Sequence, residues 1–131
     1  MLKAHAPRGI GQPTAAYSPG IEVSPGARWL YVSGQLGIDA GGRVGEGVAE
    51  QTEIALRNLR GVLESAGMSV TDIVKITGFL TAPEQVREYQ PVRDRFLGAH
   101  RPASTLVVVA ALARPNLLVE VEAVAARTDG A

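Results

Sequence analysis

Residues 101–126 read RPASTLVVVAALARPNLLVEVEAVAA. Within this stretch, Ser104 to Ala110 is a nearly unbroken apolar run, rich in valine and short enough for one strand. Such a run suits a central strand, buried on both faces. Ala113-Arg114-Pro115-Asn116 then signals a loop, because Pro115 lacks an N–H and fixes its own φ. From Leu118 to Ala125 the pattern alternates. Leu118, Glu120, Glu122 and Val124 fall on one face, and Val119, Val121, Ala123 and Ala125 on the other. The expectation is a central strand that turns and returns as a second strand with two carboxylates on one face.

Length and charge narrow what surrounds that pair. A chain of 131 residues is expected to be one domain, 1–131. Thirteen basic residues balance thirteen acidic ones without a basic cluster, which argues against nucleic acid or a membrane surface as partner. Without cysteine there is neither a disulfide nor a thiolate nucleophile. His5 and His100 lie far apart and give no metal-ligand spacing, so no metal and no cofactor is expected. No apolar run approaches the roughly 20 residues of a membrane span. The first residues, MLKAHAPRGIG, lack an apolar signal core, and the expected location is the cytoplasm.

Residues 1–13 carry Pro7, Gly9, Gly11 and Pro13 and are expected to form a loose arm. A short strand near 16–23 precedes the turn Ser24-Pro25-Gly26. Residues 29–36 (WLYVSGQL) read as a strand with Trp29, Tyr31, Ser33 and Gln35 on one face. Gly34 within it signals a bulge or a close backbone approach. From about 48 to 66 the period becomes helical, with Thr52, Ala55, Leu56, Leu59, Val62, Leu63 and Ala66 in one stripe, closed by Gly67. Glu53 and Arg57 have the spacing of an outer-face pair. Residues 73–80 (IVKITGFL) form a further strand. Thr81 and Glu84 suggest a capping box that starts a helix over 83–97, with a kink or break at Pro91. The order β-β-α-β-α-β-β is α+β, with two helices on one face of a mixed sheet. No third helix remains for the other face, so a second subunit is expected to cover it.

These residues carry a family resemblance. Tyr17-Ser18-Pro19, Tyr31-Val32-Ser33-Gly34-Gln35, Gln51 with Asn58-Leu59, and Ala66-Gly67 come first. Asp72-Ile73-Val74-Lys75, Phe79-Leu80, Arg101-Pro102-Ala103-Ser104 and Val119-Glu120-Val121-Glu122-Ala123 follow. In this order and spacing, from about Tyr17 to Ala126, the chain resembles the Rid proteins, also called YjgF-like or endoribonuclease L-PSP proteins. The resemblance implies a chorismate-mutase-like fold of the bacillary type and a homotrimer with clefts between subunits. It also implies hydrolysis of 2-imino acids, formed by pyridoxal-phosphate enzymes, to 2-keto acids and ammonia.

Active members of that family hold the substrate carboxylate with an arginine, whose planar fork matches a carboxylate in two places. Counting back from VEVEA puts Leu112 at that position, and counting back from Pro115 puts Ala113 there. Arg114 is adjacent but out of register. Ser104 stands where the family often has arginine, and Gln90 where it often has asparagine. The chain thus reads as a divergent member without the usual active-site arginine.

Candidate catalytic residues are Glu120 and Glu122, which would position a water or hold an ammonium; the alternative is that they face water or pair with arginines. Candidate substrate-binding residues are Tyr17, Ser33, Gly34, Leu112 and Arg114. Tyr17 would line the cleft from a neighbouring subunit or cap the sheet edge. Arg114 would be a displaced clamp or a solvated charge. Three functions follow. The first is an imine or enamine deaminase, a hydrolase with altered or reduced activity toward 2-imino acids. The second is a non-catalytic trimer that binds a small metabolite such as an imine or keto acid. The third is an endoribonuclease, which ranks last because no histidine pair, metal cluster or basic groove is present.

Overall fold

In the computed structural model, which describes residues 1–129, the strands are β1 (Leu2–His5), β2 (Gly20–Val23), β3 (Arg28–Leu36), β4 (Ile73–Leu80), β5 (Ala103–Val108) and β6 (Val119–Arg127). The helices are α1 (Gly47–Ser65) and α2 (Val86–Leu97), with short 3₁₀ turns at Val70–Asp72 and Pro83–Gln85. Four strands make a mixed sheet in the order β3-β6-β4-β5, and β1 pairs with β2 in a separate antiparallel pair. β6 runs antiparallel to both neighbours, while β4 and β5 run parallel. The parallel pair requires a crossover, and α2 supplies it. The α+β class, with two helices on one face of a mixed sheet, is the one expected from the order of elements.

The central strand is not the one the hydropathy suggests. β6 takes that place, and β5 is an edge strand that ends at Val108. The two are not neighbours, since β4 lies between them. One side of β5 packs inward, where Leu106 approaches Gly78 and the Tyr89 ring. Val107, on the face away from the helices, stays exposed at 38%, and Val108, at the end of the strand, at 44%. Hydropathy reports that both faces want cover, and one chain covers only one of them.

Alternation in β6 is as expected. Val119, Val121, Ala123 and Ala125 are buried against the helices, and Glu120 and Glu122 point away from them. α1 packs through Ala55, Leu56, Leu59 and Leu63, so truncating Leu59 to alanine should cost about 2–5 kcal/mol. Gly67 (φ +69°) closes this helix in a Schellman arrangement: Met68 N–H donates to Leu63 O at 2.9 Å, and Gly67 N–H to Glu64 O at 3.0 Å.

Other expectations shift. Leu2–His5 of the supposed loose arm is a strand, held by Ser24 N–H donating to Met1 O at 3.1 Å as well as by β2. The cap before α2 forms one residue later than read: Gln85, not Glu84, accepts from the N–H groups of Thr81 (2.9 Å) and Ala82 (3.0 Å). α2 runs unbroken through Pro91. Pro91 is exposed, so the carbonyl it leaves without a donor, that of Arg87, faces water. Glu53 pairs with Arg95 of α2 at 3.4 Å, not with Arg57. Among the described residues, no helix is long and apolar enough to cross a membrane.

Candidate functional site

β6 presents Glu120 and Glu122 on the sheet face that the helices leave uncovered. Glu120 lies opposite Leu36 of β3 and Phe79 of β4, and Glu122 lies opposite Thr77. The register between β3 and β6 slips between Val32 and Gln35, so a bulge falls at Ser33-Gly34. The extra residue reverses the alternation of β3. Gln35 now pairs with Val121, on the core side, and Leu36 pairs with Glu120.

The bulge also brings backbone under a carboxylate. A Cβ built at Gly34 would lie 2.7 Å from Cδ of Glu120 and nearer still to one of its oxygens. Both readings of Gly34 therefore hold at once: it is the bulge, and it is the place where Glu120 lies on the chain. A side chain at 34 and a carboxylate at 120 cannot share this space.

Beside this contact is an open depression of about 300 Å³. Its walls are Glu120, Glu122, Phe79 and Val109, with Ala111, Leu112 and Ala113 from the β5–β6 loop. One side is acidic and the other apolar. A larger hollow, about 660 Å³, lies under the β1–β2 pair at the opposite end of β6. Its Asp72 and Arg127 already pair with each other at 3.4 Å, so the depression by Glu120 has the freer polar groups.

The loop that carries Leu112 is held from behind by Gln51. This side chain is 1% exposed on α1. Its Nε2 donates to Gly45 O at 3.1 Å and to Asn116 O at 3.0 Å, and its Oε1 accepts the N–H of Leu118 at 2.8 Å. Gly37 leaves room for it, since a Cβ there would lie 2.6 Å from Gln51 Cα. Seven residues on, Asn58 Nδ2 donates to Ile38 O at 2.9 Å and Leu36 O at 3.3 Å. One helix thus fixes both the end of the bulged strand and the loop facing it.

Of the residues expected at a site, the fold brings Gly34, Leu112, Glu120 and Glu122 together. Ser33 is exposed on the bulge. Arg114 is exposed in the loop and outside the depression, and its backbone carbonyl accepts from Leu117 N–H at 3.2 Å. Tyr17 lies outside as well, in a segment tied to the start of β5 by Ser18 N–H donating to Pro102 O at 3.0 Å. Ser104 is half-buried in β5 opposite Ile76. Sequence reading missed Phe79, Val109 and the structural part played by Gln51. A signal for Gln51 was available: it and Asn58 are amides seven residues apart on the apolar side of α1.

The family model described as Endoribonuclease L-PSP matches residues 6–127. The chain is 35% identical over 124 residues to the human 2-iminobutanoate/2-iminopropanoate deaminase, covering 93% of this chain and 85% of the human protein. Among solved structures, the Rid-family protein YyfB of Yersinia pestis superposes with a TM-score of 0.82 at 28% identity, covering 95% of this chain and 97% of that one. A protein from Thermotoga maritima described as a putative endoribonuclease gives 0.72 at 39% identity, covering 93% and 91%.

Proposed function

The chain belongs to the Endoribonuclease L-PSP (Rid) family, and from that premise we propose that it is a cytoplasmic imine or enamine deaminase, homotrimeric, with its sites in clefts between subunits. The observation that carries this reading is the carboxylate of Glu120, seated on the glycine bulge beside an apolar wall. Imine hydrolysis adds water across C=N and expels ammonia from the resulting carbinolamine. A carboxylate fixed at the edge of a cleft takes a proton from the attacking water and returns one to the departing nitrogen. Glu120 is the residue for that step, and Glu122 holds or orients the nitrogen end. Leu112 forms the apolar wall, and Ser33 and Gly34 offer hydroxyl and backbone groups. Tyr17, outside the depression of its own chain, completes the cleft of a neighbouring copy, while Arg114 stays a solvated charge.

The wall lacks the expected cation. Leu112 and Ser104 stand at the positions where arginine is expected, and Arg114 lies outside the depression. Losing one partner of a desolvated charged pair costs roughly 2–5 kcal/mol, so activity on 2-iminopropionate should trail that of arginine-bearing relatives at least about thirtyfold. The apolar wall favours a substrate without a carboxylate. The same lack of a cation supports the second reading, a trimer that binds a neutral metabolite without turnover. Ammonia release from freshly generated 2-iminopropionate, and from an imine without a carboxylate, separates them. Release that depends on Glu120 supports the deaminase, and release from neither substrate leaves the binding protein.

A further inference from the structure

Contrary to the expectation of no basic groove, the fold gathers arginines scattered in sequence into a groove between α1 and α2, over an apolar floor on the side of the molecule away from Glu120. Leu56 and Val92 are buried at its base, and Phe96 is half-buried beside them. Arg57 and Arg60 of α1 and Arg95 of α2 line its rim, around a cavity of about 310 Å³. The Arg60 guanidinium lies over the Phe96 ring, 5.0 Å from its centroid. That contact holds the group by its face and leaves the N–H donors, which lie in its plane, available. Glu53 is the one carboxylate lining the groove, and it is committed to Arg95 at 3.4 Å. Among the described residues Arg57 and Arg60 pair with no carboxylate within 4 Å. In a chain of zero net charge this is a local excess of three guanidinia over one carboxylate.

We propose that this groove binds a small organic phosphate, with the phosphoryl group among Arg57, Arg60 and Arg95 and a flat body against the half-buried Phe96, because Leu56 (2% exposed) and Val92 (7%) beneath it are closed to a ligand. Guanidinium forks match phosphate oxygens in pairs, and two rows facing across a groove converge on one group. The volume fits a ligand about the size of a nucleoside monophosphate. The site is separate from the deaminase reading and stands or falls without it.

The test is calorimetric titration of the full chain with AMP, adenosine and inorganic phosphate at low and physiological salt. AMP should bind saturably, and adenosine and inorganic phosphate should each bind at least about tenfold more weakly. The double variant Arg57→Gln/Arg60→Gln should weaken AMP at least about tenfold. Arg57→Gln alone, which leaves the Arg60–Phe96 stack intact, should weaken it by a smaller factor. Glu53→Gln releases Arg95 and should tighten AMP roughly two- to fivefold. All three positions are exposed, and a thermal melt verifies folding. The proposal is overturned by any of these results: no saturable AMP binding, binding untouched by the double variant, inorganic phosphate binding as well as AMP, or an acidic peptide binding where AMP does not.

Discussion

The carboxylate of Glu120 lies in the space that a side chain at residue 34 would need. A Cβ on Gly34 would approach its Cδ to 2.7 Å. The bulge in β3 and the acid in β6 are thus one device: the extra residue in one strand makes the seat for the side chain of the other.

Gly34→Ala should therefore displace Glu120. Forcing a methyl into an occupied space costs roughly 1–3 kcal/mol, and ammonia release should drop with the displaced acid. Adding Glu120→Ala should recover most of the stability and none of the activity. A double-mutant cycle by urea denaturation reads the coupling, and additive effects would contradict the shared space.

Gln51 ties α1 to the loop behind Leu112 through Asn116 O and Leu118 N–H, and to the segment ahead of the helix through Gly45 O. Gln51→Leu strands those groups, at about 1–3 kcal/mol for each one left buried and unpaired. The expected result is a loss of at least about 2 kcal/mol in urea denaturation. Gln51→Glu keeps an acceptor for Leu118 but sets a carboxylate oxygen against two carbonyls, so it should not rescue. Unchanged stability in both variants would refute the staple.

Arginine restored at either expected position should raise turnover of 2-iminopropionate. Leu112→Arg and Ser104→Arg are the two variants, read as kcat/KM for ammonia release, with an expected gain of at least about tenfold in one of them. Arg114→Ala should change little. If the wild type is as fast as arginine-bearing relatives and Arg114→Ala abolishes activity, Arg114 is the clamp and neither Leu112 nor Ser104 stands at the family's arginine position.

The outer sheet face asks for cover. Trp29 is 50% exposed, Tyr31 75%, and Val107 lies at the far edge at 38%. Light scattering at micromolar concentration should report a trimer. Tyr31→Glu should shift it toward monomer, because burying an unpaired charge in an apolar interface is costly. A stable wild-type monomer would remove the proposed cleft along with the interface.

Acid should loosen the start of α1. Glu50 accepts the N–H of Glu46 at 2.6 Å and Arg43 Nη2 at 3.1 Å, and these bonds hold its carboxyl below the ordinary 4.5. A depressed folded pKa contributes stability above the unfolded value and loses it as pH falls through the folded one. Asp129, held down chiefly by Arg28 and also by Arg127, acts in the same direction below its ordinary 3.8. Melting temperatures from about pH 6 to about pH 3 should fall less steeply for Glu50→Gln than for the wild type. Burial raises the Tyr89 hydroxyl to about 12, so it stays protonated throughout.

Local chemistry alone determined much of this molecule. Alternation marked β6 and assigned each of its side chains to a face, because the period of a strand is two and needs no partner to be read. Gly67 ended α1 because positive φ is a property of one residue. The two carboxylates on one face were legible for the same reason. Strand order was not. The apolar run at 104–110 looks equally buried at the centre or at an uncovered edge, and only the packing of α2 and the insertion of β6 beside β4 decided the edge. Register was not legible either. The slip at Ser33-Gly34 reversed which face Gln35 and Leu36 take, and a bulge declares itself only against its partner strand. Gln51 reads as an odd amide in an apolar stripe until the fold brings Gly45, Asn116 and Leu118 to it. Contacts between residues 6 and 67 positions apart exist only in three dimensions.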